Sequence, residues 1–376
     1  MTTPLVVRVA GAIVEARPMG DAALYELVYV GDKRLLGEVI RVRGDTAMLQ
    51  VFENTDGVRL GEPVVATGAP LAAQLGPGLL GGLLDGVGRP LDRLAAAAGD
   101  FIPAGIAAPT LDPARAWRFT RTAAVGTVVT TGDELGTVVE QDDFTHRVLV
   151  PPGVRGTLAA LDSGDYAVES PIGALDDGTS LSLSHRWPLR LARPFAKRLA
   201  PDRPFVTGQR VFDFLFPVAE GGAAAVPGGF GTGKTVVEHS LAKYGDAELV
   251  VYVGCGERGN EMAEVVQEFP QLVHPITGRS VMSRAVLIAN TSNMPVAARE
   301  ASIYLGVTIA EYYRDMGYRV ALMIDSISRW AEALREISSR LQEMPGEEGY
   351  PTSLSARFGT FLERAGRVTP LGARRS

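Results

Sequence analysis

The sequence has little cysteine and little histidine, and neither is placed for a disulfide or a metal centre. Cys255 is the single cysteine in 376 residues, so no disulfide can form within the chain, which suits a reducing compartment. The four histidines show no metal-ligand spacing, and we expect them to be surface or packing residues. They are His146, His185, His239 and His274. These absences argue against a histidine-based metal centre and favour a cytoplasmic protein.

Long apolar runs, a signal peptide and an excess of positive charge are also missing. No run of 18 or more apolar residues occurs, and residues 1–4 begin no basic stretch followed by an apolar core. We therefore expect no membrane span, and any membrane role would come through partners. The net charge of −6 argues against a general nucleic-acid binder. The 46% apolar and 21% charged residues are typical of a globular protein with room for two or three domains.

A glycine-rich segment at residues 228–235 carries the clearest chemical signal. It reads Gly-Gly-Phe-Gly-Thr-Gly-Lys-Thr and fits the P-loop pattern. Its glycines allow backbone N–H groups to converge on an anion. Lys234 can reach the β- and γ-phosphates, and the Thr235 hydroxyl can bind Mg²⁺. We therefore expect nucleotide to bind at eight residues: Gly228, Gly229, Phe230, Gly231, Thr232, Gly233, Lys234 and Thr235.

The flanking segments fit a strand–loop–helix unit. Residues 223–226 are a short apolar run that we interpret as the strand, and residues 235–244 have a helical pattern. This context weakens the alternative that a glycine-rich turn matches the pattern by chance. Downstream, near-continuous apolar runs at 248–254, 286–289 and 319–325 alternate with helical patterns. Such strands, joined by helices, predict a parallel sheet covered on both faces.

The first half of the chain has the pattern of β structure. Short β-branched runs separated by turn signals fill residues 4–70 and predict a small closed barrel. A second β-rich segment follows, which we interpret as an insertion that contacts other chains. The predicted regions are a barrel (1–72), a linker with the start of the nucleotide domain (73–109), the insertion (110–190) and the P-loop domain (191–376).

Two further segments carry candidate catalytic residues. Asp325 closes an apolar strand, where a nucleotide-binding sheet places its Mg²⁺-directed carboxylate; the alternative is an N-cap for the following helix. Glu257 and Arg258 follow the strand after the P-loop helix, at the edge onto which the P-loop opens. Glu257 can polarise the water that attacks the γ-phosphate, and Arg258 can hold phosphate oxygens through its fork of donors. A surface salt bridge between these two neighbours is the alternative.

Four long runs in the second half of the chain are more specific than any single motif. They are Gly-Cys-Gly-Glu-Arg-Gly-Asn-Glu-Met at 254–262, Ile-Ala-Asn-Thr-Ser-Asn-Met-Pro-Val-Ala-Ala-Arg-Glu-Ala-Ser-Ile-Tyr at 288–304, Ser-Arg-Trp-Ala-Glu-Ala-Leu-Arg-Glu-Ile-Ser at 328–338 and Glu-Met-Pro-Gly-Glu-Glu-Gly-Tyr-Pro at 343–351. With these runs the chain resembles the catalytic A subunits (alpha chains) of V-type and A-type rotary ATPases and ATP synthases. The resemblance implies an α/β fold with added β domains. Its parts would be an N-terminal β-barrel, a β-rich bulge insertion and a RecA-like P-loop parallel-sheet domain that is incomplete at its C-terminus.

The resemblance also implies roles for individual residues. Lys234 and Thr235 would bind phosphate and Mg²⁺, and Asp325 would act on Mg²⁺ through its water shell. Glu257 would position and activate the water. Arg258 and Arg299 would hold the γ-phosphate or inorganic phosphate; Arg299 is selected by the resemblance alone.

The implied function is synthesis of ATP from ADP and phosphate, or its hydrolysis, coupled by rotation to proton or sodium transport. ATP or ADP with Mg²⁺ would be the ligands. The implied partners are a B subunit, which alternates with this chain in a hexamer and supplies an arginine finger in trans, and the central and peripheral stalk subunits. The chain would lie on the cytoplasmic face of the plasma membrane, meet the membrane sector only indirectly and bind no nucleic acid.

The chain departs from the family pattern at a few positions. Gly229 stands where proline or alanine is usual, and Thr232 where serine or cysteine is usual. The sequence stops soon after Val368, so we expect the remaining sheet strands, the adenine-contacting aromatics and a C-terminal helical domain to be missing, and apolar sheet surface to be uncovered. One alternative is a truncated, nucleotide-binding but inactive homologue of the catalytic chain, which intact Lys234 and Glu257 disfavour and the missing C-terminal portion favours. Another is a RecA-like RNA helicase or terminator, which the acidic charge disfavours.

Overall fold

The structure is a computed structural model in which strands dominate the first half of the chain and strands alternate with helices in the second. The residues it describes are 3–99, 101–141, 144–229, 231–275 and 278–372. Phe230 of the predicted P-loop lies outside these ranges. Among the described helices, none is both long and apolar enough to cross a membrane.

The first six strands form an antiparallel sheet that closes on itself. They are β1 (Leu5–Ala10), β2 (Ile13–Arg17), β3 (Glu26–Val30), β4 (Leu35–Arg43), β5 (Thr46–Val51) and β6 (Val64–Pro70), in the order β1-β2-β5-β4-β3-β6. A bridge between Leu5 and Pro63 joins the two ends of the sheet. Alternate residues of β3 are buried, because successive side chains of a strand point to opposite faces. The predicted barrel is confirmed.

The segment 73–109 contains more regular structure than a linker. After β7 (Ala72–Leu75) come β8 (Leu83–Asp85) and helix α1 (Leu91–Ala98). β8 pairs in parallel with a strand of the nucleotide domain, so this segment forms one edge of that domain's sheet. Three residues are too few for a strand pattern, and the glycines on both sides favour an interpretation as a loop.

The insertion consists of short strands in two four-stranded antiparallel sheets. Its strands are β9 (Ala116–Arg121), β10 (Val128–Val129), β11 (Glu134–Val139), β12 (Thr145–Leu149), β13 (Gly156–Leu161), β14 (Gly164–Ala167), β15 (Pro171–Leu175), β16 (Ser180–Ser182) and β17 (His185–Pro188). One sheet has the order β10-β13-β15-β16 and the other β12-β11-β9-β14, while β17 pairs with β7. Buried residues such as Phe119 and Leu161 belong to the same apolar core as part of the nucleotide domain. The predicted β-rich insertion is confirmed.

A parallel sheet forms the centre of the last domain. The remaining strands are β18 (Lys197–Arg198), β19 (Pro204–Phe205), β20 (Val218–Ala219), β21 (Leu249–Glu257), β22 (Ala285–Thr291), β23 (Val320–Asp325) and β24 (Val368–Thr369). The helices are α2 (Arg210–Leu215), α3 (Lys234–Tyr244), α4 (Gly259–Glu268), α5 (Val296–Asp315), α6 (Ile327–Arg340) and α7 (Leu354–Leu362). The parallel sheet has the strand order β23-β21-β22-β8. The prediction of a parallel sheet in this domain is confirmed.

Helices cover both faces of this sheet. Val251 and Val253 of β21 pack in a cluster with residues of α5 and α6, whereas Val250 and Tyr252 pack with residues of α3 and α4. Both faces are therefore apolar, which explains why the strand sequences show no alternation. Because the strands are parallel, the C-terminal ends of β21, β22 and β23 meet at one edge of the sheet.

The strand expected at residues 223–226 is not formed. The chain from 222 to 229 is exposed and has no regular secondary structure, and β23 has a neighbour on one side only among the described strands. Three of the four predicted residues are alanine, which has low β propensity and little apolar area to bury. The prediction of a strand immediately before the P-loop was therefore wrong, whereas the helix after it is present as α3.

Candidate active site

The P-loop places a lysine at the start of α3. Gly231 and Gly233 have φ values of +77° and +85°, which glycine adopts without strain. The Lys234 Nζ donates to the carbonyl oxygens of Gly228 and Gly229, both at 2.9 Å. The Thr232 hydroxyl donates to the same Gly229 oxygen at 2.8 Å. The ammonium charge thus lies at the N-terminus of a helix, where the helix dipole also favours an anion.

Thr235 and Asp325 are joined across the sheet edge. The Thr235 hydroxyl donates to Asp325 Oδ2 at 2.7 Å, and the Tyr252 hydroxyl lies 3.4 Å from the same oxygen. Asp325 ends β23 and is buried. The N-cap residue of α6 is Ser326, and Asp325 bonds instead to the P-loop threonine, which argues against the capping alternative. A hydroxyl and a carboxylate are the oxygen donors that Mg²⁺ prefers, so these residues fit the metal.

Glu257 lies at the end of β21, next to the strand that carries Asp325. It is half-buried, and its pKa is raised to about 7. Burial is the main cause, and a hydrogen bond with Glu261 and the charge of Asp325 add to it, while a hydrogen bond with Ser326 opposes it. A general base works best when its pKa lies near the working pH. The position and the pKa of Glu257 both suit proton transfer beside a phosphate site.

Glu238, on α3, belongs to this acidic cluster but was not among the predicted site residues. Burial and the charges of Asp325 and Glu257 raise its pKa to about 8. Its Oε2 atom is buried and has no hydrogen-bond partner among the described residues. A sequence signal was available, because Glu238 follows Thr235 by three residues, and residues at that spacing share one face of a helix.

Arg299 lies in the first turn of α5 and is buried. Its Nη2 donates to the carbonyl oxygen of Ser292 at 2.9 Å, and its Nε has no partner among the described groups. The side chain passes over Gly256, where an added Cβ would lie 2.9 Å from Arg299 Cδ. The structure thus brings Arg299 beside the turn that carries Glu257, and its role as a phosphate ligand stays a prediction.

Two exposed arginines flank Glu257. Arg258 is the N-cap residue of α4, directly after Glu257. Arg329, in the first turn of α6, pairs with Glu332 at 2.8 Å. The pKa of Arg329 is raised, mainly by Glu332 and also by the charge of Glu257. Arg329 was not among the predicted site residues, although its place four residues after Asp325 was a usable signal.

Among the described residues, no group of three or more His, Cys, Asp or Glu side chains is arranged to hold a metal ion. Mg²⁺ usually keeps several waters and is held by one or two carboxylates together with substrate phosphates. A site with Thr235 and Asp325 therefore fits Mg²⁺ that arrives with a nucleotide.

Models of one protein family match most of the chain. The matches are the ATP synthase alpha/beta family β-barrel domain at residues 6–68, the ATP synthase alpha/beta subunit barrel-sandwich domain at 108–190 and the ATP synthase alpha/beta family nucleotide-binding domain at 208–374. The three matched segments correspond to the barrel, the insertion and the P-loop domain described above.

Individual relatives are also similar over nearly the whole chain. It is 56% identical to V-type ATP synthase alpha chain 1 of Clostridium tetani, over 99% of this chain and 63% of that protein. It is 60% identical to the V-type ATP synthase alpha chain of Anaeromyxobacter dehalogenans strain 2CP-C, over 97% of this chain and 63% of that protein. The corresponding A-type ATP synthase chain of Desulfurococcus strain SY is 55% identical, over 98% of this chain and 64% of that protein. The chain thus spans a little under two thirds of the length of these relatives.

Among solved structures, the fold is similar to that of the assembled ATPase EscN from the type III secretion system of enteropathogenic E. coli. The TM-score is 0.65 at 24% identity, over 98% of this chain and 67% of that chain. That likeness concerns the fold alone. Together with the family models and the relatives, the barrel, the insertion and the P-loop sheet show that the chain belongs to the ATP synthase alpha/beta family, among the alpha (A) chains of the V-type and A-type enzymes.

Proposed function

We propose that this chain carries the catalytic nucleotide site of a V-type/A-type rotary ATPase. At that site ATP is made from ADP and phosphate, or hydrolysed, with coupled transport of protons or sodium ions. The observation that most supports this function is the 2.7 Å hydrogen bond from Thr235 to Asp325, with Glu257 at the end of the adjacent strand. The predicted phosphate-binding loop, the Thr235–Asp325 pair and a carboxyl group whose pKa is raised to about 7 lie at one sheet edge, which supports the proposal.

Each residue has a defined task in hydrolysis. The P-loop N–H groups and Lys234 bind the β- and γ-phosphates, and Arg258 and Arg299 hold the transferred group. Glu257 orients a water molecule and accepts its proton as the water oxygen bonds to the γ-phosphorus and the bond to the β-phosphate oxygen breaks. In synthesis Glu257 returns the proton. Thr235 and Asp325 would hold Mg²⁺, which would neutralise charge on the phosphate oxygens.

Partners follow from the same proposal. The relatives are named as ATP synthase chains. The family resemblance implies that this chain alternates with a B chain and contacts central and peripheral stalk subunits. An arginine supplied in trans is common among such NTPases. We therefore propose that turnover requires the B chain, and that the chain works at the cytoplasmic face of the plasma membrane, where it meets the membrane sector only through other subunits.

The test is Glu257→Gln in the complex assembled with the partner subunits. We expect ATP binding to stay within about twofold, while turnover falls by about 10²–10⁴-fold because the base is lost. Glu264→Gln is the matched control, since Glu264 is an exposed carboxylate on α4. Wild-type turnover in Glu257→Gln would refute the assignment. A wild-type complex that binds ATP without turnover would support an inactive nucleotide-binding homologue, and salt-sensitive RNA binding would support the helicase alternative.

A further inference from the structure

Glu238 is a half-buried residue with a buried carboxyl oxygen, Oε2, and the proposed mechanism does not use it. It lies one helical turn after Thr235, on the same face of α3, and α3 packs against β23. Asp325 and Glu257 are close enough for their charges to act on it. The carboxyl group is therefore turned toward the sheet edge that carries the predicted metal-binding residues.

The environment of Glu238 lacks a compensating group. Its Oε2 has no hydrogen-bond partner, and no ion pair of Glu238 is found in the part of the chain that the structure describes. Burying a polar oxygen without a partner is costly, and such an atom in a native structure calls for an explanation, such as an ion or an ordered water. The neighbouring charges are both negative, which increases the cost and points to a cation as the missing partner.

We propose that Glu238 is a positioning residue for the Mg²⁺ that accompanies the nucleotide, and that its carboxylate accepts a hydrogen bond from a water bound to the metal. The inference rests on the proposed function, because the metal arrives with ADP or ATP. Direct ligation is disfavoured, since no described set of three acidic or histidine side chains is arranged to hold an ion. Contacts of this outer kind typically change metal affinity by about 10–100-fold.

The experiment measures Mn²⁺ binding to the full chain by electron paramagnetic resonance, with saturating ADP. Glu238→Gln keeps the size of the side chain and removes its charge, and Glu264→Gln removes an exposed carboxylate on α4 as the matched control. We expect Glu238→Gln to weaken Mn²⁺ binding about tenfold. ADP affinity in the presence of EDTA should stay unchanged in both variants, and Mn²⁺ affinity should stay within about twofold in the control.

Mn²⁺ binding to Glu238→Gln that equals or exceeds that of the wild type would overturn the proposal. If Glu238→Gln does not fold, Glu238→Asp takes its place. This variant keeps the charge but has a side chain that is shorter by one methylene, so we expect it to weaken Mn²⁺ binding severalfold. Unchanged Mn²⁺ affinity in Glu238→Asp would also overturn the proposal. Failure of the proposed function would give a different result. In that case the wild-type chain would not bind ADP, either with or without Mn²⁺, and the nucleotide site itself would be refuted.

Discussion

Gly256 is the residue at which the geometry of the site can be tested by the smallest change. It lies near the end of β21 with a φ of +76°, a conformation that side chains with a Cβ adopt at a cost of about 1–2 kcal/mol. In Gly256→Ala the new Cβ would lie 2.8 Å from Arg329 Cβ and 2.9 Å from Arg299 Cδ. Overpacking of this kind adds about 1–3 kcal/mol. We therefore expect the free energy of unfolding to fall by about 2–5 kcal/mol.

The assay is urea unfolding followed by circular dichroism, with ADP binding as a second measurement. Gly259→Ala is the control, because its Cβ would meet no atom within 4 Å and its φ is not positive. We expect this control to keep the wild-type stability or to gain up to about 1 kcal/mol, since alanine favours a helix. ADP affinity should fall in Gly256→Ala, because Arg299 and Glu257 are displaced together. A loss below about 1 kcal/mol in Gly256→Ala would refute the argument that the two arginines close over this residue.

Other measurements test the metal pair, the buried contact with the insertion and the titration of the acidic cluster. In Asp325→Asn we expect the Mg²⁺-dependent part of the ADP affinity, measured by calorimetry with and without EDTA, to fall at least about tenfold; equal affinity would contradict the metal role. His146→Leu leaves Glu140 and the Tyr312 hydroxyl without their 2.6 and 2.8 Å partner, so we expect about 3–5 kcal/mol less stability in urea, and a loss under about 1 kcal/mol would contradict this. The pKa of Glu238 is raised to about 8 from 4.5. As the pH rises, the unfolded state therefore loses this proton before the folded state does. The contribution of Glu238 to the unfolding free energy of the metal-free chain should therefore fall as the pH rises from about 5 to about 8, and Glu238→Gln should remove that part of the pH dependence; an identical pH dependence in wild type and Glu238→Gln would contradict the pKa.

The parts of the fold that could be predicted are those whose signal is local. Strands such as β21 and β23 are near-continuous apolar runs, and α3 follows a glycine-rich loop, so their positions are evident from neighbouring residues alone. β8 could not be predicted, because three residues between glycines acquire strand structure only by pairing with β22. The error at 223–226 arose because a short apolar run was interpreted as a strand, although its three alanines have low β propensity and little apolar area to bury.

The same distinction holds for the site. Lys234, Thr235 and Asp325 belong to motifs with fixed spacing, and the structure brings the last two into contact. Glu238 and Arg329 belong to no such motif, and their relevance depends on which helix face is turned to the sheet edge. Arg299 is distant in sequence from Glu257, and its path over Gly256 results from the packing of α5 against β21.

Helix α5 connects the barrel and the insertion to the candidate site, although neither of these domains carries a predicted catalytic residue. Glu300, next to Arg299, pairs with Arg190 at 2.8 and 2.7 Å, and Arg190 also pairs with Glu38 of the barrel. At the other end of the helix, the Tyr312 hydroxyl lies 2.8 Å from His146 Nε2 in the insertion.

Both β domains therefore hold the helix whose first turn carries Arg299. The contacts at each end are buried or partly buried, so a displacement of either domain would break charged or polar pairs that water cannot easily replace. A site must be held to within about half an ångström to work, and side chains on a rigid helix meet that demand better than side chains on loops. The barrel and the insertion thus contribute to the position of Arg299 beside Glu257 through the two ends of one helix.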